Sequence, residues 1–508
     1  MERLDRFRIA LVALSLLAAA ITITFLLVRD NDGEGADQTV TSASTLDGTW
    51  VDADGNGTIE RGPGEPLVDR TDLAPPEEVT AGRTLATLVQ ITDSHVRDEE
   101  SPARASLLDR ADPDLNSTFR PQESLSPQVL AATVASANEV NPDAVILTGD
   151  LIDSSQRNEL DELIEVLDGG SVDPDSGGPG YDGPQEGTNP DPFFYRPDVD
   201  APRHPGLLDD AEAAFDSPGL DAPWYPLAGN HDLLAQGEVP PTADLGKLAT
   251  GDRLLTGLRK SLRIPRSALP DDDAELPDEA GLTPELVDAV IGSGLPGPTR
   301  QVPADPRRAY STPEQTLERL RQASGSGGRA GDPLMDYAFD VGEDVRVIGL
   351  DLVNRAGGSG GVVPPGQPAF LRQELARAGD KRVIVMTHQP IDGSAGGERL
   401  VALLDRNPNV IATLNGDTHR NSIEPRSTDV GGYWQISTSS LADWPQQSRV
   451  LRIVETPGGT AIETWMLDGT GSGLADTARE LSYLDAQGGR PQEDAGDPGD
   501  RNARLFLP

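Results

Sequence analysis

The chain has 508 residues with 42 Lys plus Arg against 84 Asp plus Glu, a formal net charge of −42, and no cysteine. That surface repels nucleic-acid backbones and anionic membranes, which argues against a nonspecific DNA or RNA binder. The missing cysteines exclude disulfides and thiolate metal ligands. Hydrophobic residues make up 36%, with 54 Gly and 43 Pro, so much of the chain must be loop. Its three lysines are Lys247, Lys260 and Lys381, and nearly all other positive charge is arginine. A solvated acidic coat, suited to high salt, is the plain reading of such a surface.

At the N-terminus, residues 1–8 carry three arginines, and residues 9–28 form a stretch of 20 without any charge. About 20 apolar residues are what a bilayer-spanning helix needs. Positive charge before the stretch and Asp30, Asp32 and Glu34 after it orient residues 1–8 towards the cytoplasm and the body outwards. The reading is a transmembrane signal anchor at 9–28. A cleaved signal peptide competes, because Ala18-Ala19-Ala20 mimics a small-residue cleavage site. In either case the body is expected outside the cytoplasm, tethered to the membrane or secreted.

Residues 29–45 read as a polar tether and 46–84 as an N-terminal segment. Within it, Asp52, Asp54 and Asn56, followed by Gly57 and Ile59, resemble the first half of a calcium loop. Pro63 stands where the usual bidentate Glu would be, and Glu60 or Glu65 would have to replace it. An Asp/Gly turn is the simpler expectation.

Residues 85–470 read as one α/β domain. Short β-branched runs at 87–92, 144–148, 345–350, 383–387 and 410–414 predict buried strands. Helices are expected at 128–140, 158–167, 368–378 and 398–405, and the alternation argues for a layered α/β architecture. Two insertions interrupt it. Residues 169–222, rich in Gly, Pro and Asp, predict a large surface loop. Residues 233–334, with helical pieces at 283–292 and 313–322, predict a cap. The stretch 471–508 reads as a tail with one helix at 474–487 and then an acidic Gly/Pro segment. No internal repeat is apparent.

Only five histidines occur, and four of them lie in short polar blocks. The blocks are Asp93-Ser94-His95, Gly149-Asp150-Leu151-Ile152-Asp153, Gly229-Asn230-His231-Asp232, Thr387-His388-Gln389-Pro390 and Gly416-Asp417-Thr418-His419. Each follows an apolar run, and in α/β sheets the loops beyond strand C-termini are where ligands bind. Together they offer Asp93, His95, Asp150, Asn230, His388, Asp417 and His419. Nitrogen and oxygen donors without sulfur suit metals of the Fe, Mn or Zn class. Seven donors exceed what one ion with an open position uses, so two ions sharing a carboxylate fit better. Such a pair clamps both oxygens of an in-line displacement, as phosphate-ester hydrolysis requires. Taken singly, each block reads as a turn or a structural histidine; the ordered set points to chemistry. His204 lies outside it and reads as a solvated loop residue. Asp153 reads as a supporting residue, and Arg420 as a surface arginine.

In these blocks the sequence resembles the calcineurin-like metallophosphoesterases, whose signature runs D-x-H, G-D-x-x-D, G-N-H-D/E, H and G-H-x-H. Gly432-Tyr433-Trp434 and Asp443-Trp444-Pro445-Gln446-Gln447 look like features of an exported actinobacterial branch. The resemblance implies a sandwich of two mixed β-sheets flanked by helices. It implies that Asp93, His95 and His419 bind one metal, that Asp150 bridges, and that Asn230 and His388 bind the second. It makes His231 a general acid oriented by Asp232, acting with a bridging hydroxide on phosphate mono- or diesters. The departure is Asp417, where the family usually has histidine as the last ligand of the second metal. Aspartate is a shorter, harder ligand that favours Mn- or Mg-like ions. The rival expectations are a degenerate phosphoesterase fold serving as a cell-envelope binding or scaffold protein, and a different dinuclear hydrolase that cleaves pyrophosphate or nucleotide linkages.

Overall fold

The computed structural model describes residues 40–77, 79, 83–104, 106, 119–256, 297–326, 328–490 and 492–508. The expected anchor at 9–28 and the helical piece at 283–292 lie outside the described residues, as does most of the expected tether. Among the described residues no helix is long and apolar enough to cross a membrane.

Two sheets form the frame of residues 42–508. The seven-stranded sheet contains β1 (Val68–Arg70), β2 (Thr84–Ile91), β3 (Ala144–Thr148) and β4 (Trp224–Leu227). The six-stranded sheet contains β5 (Tyr337–Val341), β6 (Val345–Gly349), β7 (Arg382–Met386), β8 (Val410–Asn415), β9 (Ser422–Thr428) and β10 (Gly431–Ser437). The chain then returns to the first sheet with β11 (Gln447–Thr456), β12 (Gly459–Asp468) and β13 (Ala503–Leu507). The strand orders are β1-β13-β12-β11-β2-β3-β4 and β5-β6-β7-β8-β10-β9. Strands β2, β3 and β4 run parallel, as do β6, β7, β8 and β10, while the flanking strands are largely antiparallel. Both sheets are therefore mixed.

Strand periodicity explains how the sheets stack, because alternate side chains point to opposite faces. On β7, Ile384 and Met386 join a core shared with Leu88 and Ile91 of β2, so they face the other sheet. Val383 and Val385 point the opposite way, into a second cluster with Leu371, Leu375 and Leu400. Those leucines belong to the helices Gln367–Ala378 and Glu398–Leu404, which cover the outer face of the second sheet. The helices Ser126–Val140 and Arg157–Asp168 provide the crossovers of the first sheet. The two sheets thus face one another across one core, with helices outside.

Most expected elements appear within a few residues of their predicted bounds. The insertion at 169–222 is not simply loop: Gly170–Val172 pairs antiparallel with Phe215–Ser217, and Phe194, Leu207, Leu208 and Ala211 are buried. Of the 233–334 insertion, the described part holds the helices Ala243–Ala249 and Pro313–Ser324 and the pair Arg253–Leu255 with Thr299–Gln301. Residues 471–508, read as a tail, contain the helix Gly473–Gly488 and the sheet strand β13. Alternating Leu505 and Leu507 fill the core, a pattern concealed in sequence by the acidic residues before it. At the other end, Ala43 and Thr45, read as tether, exchange backbone hydrogen bonds with Asp468 and Met466.

Candidate metal centre

The strands deliver the polar blocks at equal distances from their ends. Asp93, Asp150, His388 and Asp417 each stand two residues beyond β2, β3, β7 and β8, and Asn230 follows β4 by three. Two parallel groups of strands, one in each sheet, therefore present their C-terminal loops at a common rim. The turns out of β2, β3 and β8 are sharp. Asp93, His95, Asp150, Asp417 and His419 have φ of 51°, 41°, 49°, 66° and 53°, five of nine such non-glycine residues among those described. Left-handed backbone is costly for residues with a side chain and concentrates at functional sites. The loops are also bonded to one another: Asp93 N donates to Gly149 O and His95 N to Asp150 O, both at 3.0 Å, and Gly416 N to His388 O at 3.1 Å.

Close approach accounts for two motif glycines. A Cβ at Gly229 would stand 2.1 Å from Asp150 Oδ1, and one at Gly416 would stand 2.2 Å from Asp93 Oδ2. Larger residues there would displace the carboxylates.

All seven expected ligands meet, and all are buried. Three groups have one donor atom per residue within 4.8 Å of the others: Asp93-His95-His419, Asp93-Asp150-His388 and His95-Asp150-His231. His95 Nε2 and His419 Nε2 lie 3.2 Å apart, and His419 Nε2 lies 3.4 Å from Asp93 Oδ1. His388 Nε2 is 3.1 Å from Asp150 Oδ2, 3.2 Å from Asn230 Oδ1 and 3.5 Å from Asp417 Oδ1. Asp417, the departure from the family pattern, thus reaches the second group.

The remaining ring nitrogens are held from behind. His95 Nδ1 is 3.2 Å from Asp153 Oδ1, His419 Nδ1 is 2.5 Å from Asp443 Oδ2, and His388 Nδ1 is 2.8 Å from Thr148 O. A partner on Nδ1 fixes the ring and leaves Nε2 as the ligating atom, the usual support for metal-binding histidines. Asp443 in turn accepts from Arg120 Nε at 2.7 Å and Nη2 at 2.9 Å. Burial would raise its carboxyl, but Arg120, Arg490 and His419 hold it well below the usual carboxylate range. Asp153 is likewise held low against burial by Arg97 and Arg104.

Electrostatically the rim favours a cation. Burial would raise the Asp150 carboxyl, yet His388 and His231 hold it down at about 2. Burial opposes charge on His388, yet Asp150, Asp93 and Asp417 raise its pKa well above the ordinary value. The same field from three buried carboxylates would draw divalent metal, and the nitrogen and oxygen donors fit such ions.

One expectation is corrected. Asp232 does not orient His231: its Oδ1 accepts from the amides of Leu151 and Ile152 at 3.0 Å, and its Oδ2 from Gly229 N at 2.7 Å. The carboxylate braces the loops, and burial with Asp150 nearby pushes it up to about 7. His231 is held instead through Nδ1, 2.6 Å from Asp153 O and 3.7 Å from Asp153 Oδ1. A carboxylate one residue away in sequence was the natural candidate, but in the short helix Asn230–Leu233 its oxygens are taken by backbone amides.

Outside the centre, Arg420 is exposed, and His204 stands 3.5 Å from Glu480 rather than in solvent alone. The Asp52-Asp54-Asn56 loop folds as a series of turns in which the side-chain oxygens accept from Asn56, Gly57 and Thr58 amides. Sequence reasoning missed Arg97, Arg104, Arg120 and Arg490 behind the histidines. Asp443 was visible only as part of a family-like tail feature.

No family model matches the chain, and no curated protein matches it. Solved structures it resembles include a dimetal phosphatase from Danio rerio, at 13% identity and TM-score 0.35, covering 76% of this chain and 100% of that one. Another is PhoD, at 10% identity and TM-score 0.30, covering 85% and 80%. A third is the NAD nucleotidase of Haemophilus influenzae, at 11% identity and TM-score 0.26, covering 79% and 55%. The functional reading rests on the site's own geometry.

Proposed function

We propose that this chain hydrolyses phosphate esters at a centre of two metal ions. The observation that carries the reading is the buried convergence of seven oxygen and nitrogen donors, with the histidines braced on their far sides. Asp93, His95 and His419 form one donor set. Asn230, His388 and Asp417 form the other, and Asp150, near both His95 and His388, would be the carboxylate available to both ions. Bound there, two ions of the Fe, Mn or Zn class would supply Lewis-acid activation of water and neutralise charge on the phosphoryl oxygens.

The protein's own groups do the rest. Asn230 Nδ2 donates to Gly237 O at 3.2 Å, and Gln389 donates to Asn230 Oδ1 at 3.0 Å, so the amide is fixed with its oxygen turned to His388. His231 has Nδ1 committed to Asp153 O, which makes Nε2 the nitrogen that gives a proton to the leaving oxygen. Burial of all seven donors keeps bulk water from competing for the metals. The charge-free stretch at 9–28 supports a body anchored at the membrane and facing outwards.

The test is turnover of p-nitrophenyl phosphate and of its bis-ester by the full chain with Mn, Fe and Zn added separately. We expect metal-dependent hydrolysis that Asp150→Asn abolishes. Two equivalents of bound metal with no turnover of either ester would favour the degenerate binding or scaffold protein.

A further inference from the structure

Away from the metal centre, a second set of oxygen donors meets where the 169–222 insertion folds back on the core. One carboxylate oxygen from each of Glu100, Asp175 and Glu212 lies within 4.8 Å of the others. Glu100 leaves the core five residues after His95, while Asp175 and Glu212 stand near the two ends of the insertion. Glu100 is 1% exposed and Glu212 8%, so two of the three acids are almost out of water.

Their charge is poorly answered by protein cations. Arg308 reaches the group but is committed elsewhere: its Nε donates to Asp98 Oδ2 at 2.9 Å and its Nη2 to Ser176 Oγ at 2.6 Å. It stands 3.5 Å from Glu100 Oε2. Glu212 Oε2 is buried and has no hydrogen-bond partner. Burial pushes the Glu212 carboxyl up to about 11, and the neighbours that add most to that shift are four further carboxylates, Glu99, Glu100, Asp175 and Asp98. Buried charges are ordinarily paired or coordinate metals, and an unpaired buried oxygen facing other acids is what a missing counter-ion leaves behind.

We propose that Glu100, Asp175 and Glu212 bind a divalent cation of the calcium class, tying the insertion to the loop that leaves the first metal-binding block. The donors are all carboxylate oxygens, the hard ligands that calcium takes, and its variable coordination number allows carbonyls and water to complete the shell. The site is separate from the histidine centre, which has nitrogen donors and suits other metals. It joins Glu100 to acids that stand 75 and 112 positions further along the chain.

The competing state is a cluster kept neutral by protons, and Glu212→Gln separates the two because glutamine mimics the protonated acid. The full chain is stripped with EDTA, its histidine centre is refilled with Mn, and calcium is then titrated while Tm and bound calcium are read. We expect calcium to raise Tm in the wild type with one more bound equivalent than in Glu212→Gln. Asp175→Asn, at a half-buried position, is the milder variant and should weaken calcium binding about tenfold, since affinity follows ligand charge. A calcium response equal in wild type and both variants, or no response in the wild type, overturns the proposal.

Discussion

His231 and Asp443 show how single side chains divide the work of the site. His231 lies within ligand spacing of His95 and Asp150, yet its Nδ1 is held by the Asp153 carbonyl. His231→Ala should lower kcat by about 10²–10⁴ as a lost general acid does, with metal content unchanged by elemental analysis. Loss of a metal equivalent would make His231 a ligand instead. Asp443→Asn removes the charge behind His419 and should weaken metal binding or activity by about 10–100-fold, measured by chelator competition. Wild-type affinity in that variant would mean that the His419–Asp443 contact only packs. Asp417 stands 3.5 Å from His388 Nε2. Asp417→Asn is expected to retain the first metal and lose the second, and full occupancy of both sites in it would remove Asp417 from the ligand set.

At the level of elements, each site residue is placed by the loop beyond a strand end, with left-handed backbone at Asp93, His95, Asp150, Asp417 and His419, and the insertions are added around that rim. The 169–222 insertion brings acids with raised pKa into contact with the core. Burial and neighbouring carboxylates push Glu100 up to about 9 and Glu212 up to about 11, both from 4.5. Arg308 and the Asp182 amide oppose the rise at Glu100, and Glu99, Glu100, Asp175 and Asp98 promote it at Glu212. The folded state thus keeps protons that the unfolded chain releases above about pH 4.5. The stability from these groups is fully present below that value and is lost as pH rises through the folded pKa. Without calcium, Tm should fall between pH 5 and pH 9, and calcium should flatten the slope. A pH-independent Tm over that range in EDTA would contradict this account of the cluster.

For the whole molecule, the net charge of −42 on 508 residues is a term in stability as well as in solubility. Self-repulsion destabilises a compact state, and salt shortens its range to about 10 Å at 0.1 M. Tm should therefore rise with added sodium chloride, even after the metal sites are saturated. A Tm that is flat or falls with salt would show that the acidic coat is neutral in its effect. Two sheets sharing one core make the centre rigid, because β2 and β3 reach it from one sheet and β7 and β8 from the other. Any loosening between the sheets would separate Asp93 and Asp150 from His388 and Asp417.

Local pattern revealed the parallel strands β2, β3, β6, β7 and β8, the helices between them and the donor blocks, since periodicity and residue type are written into short windows of chain. Those blocks alone named the seven donors that the fold brings together. Three things were beyond sequence: the arginine–carboxylate supports, the true partner of His231, and the acid cluster across the insertion. Arg120 and Asp443 are 323 positions apart, and nothing near either one in sequence announces the other. Likewise β13 reads as tail until β12 offers it an edge. Residue chemistry is a local property and was legible directly. Which buried charge meets which counter-charge depends on how the two sheets stack and how the insertions fold back, and only the tertiary structure decides that.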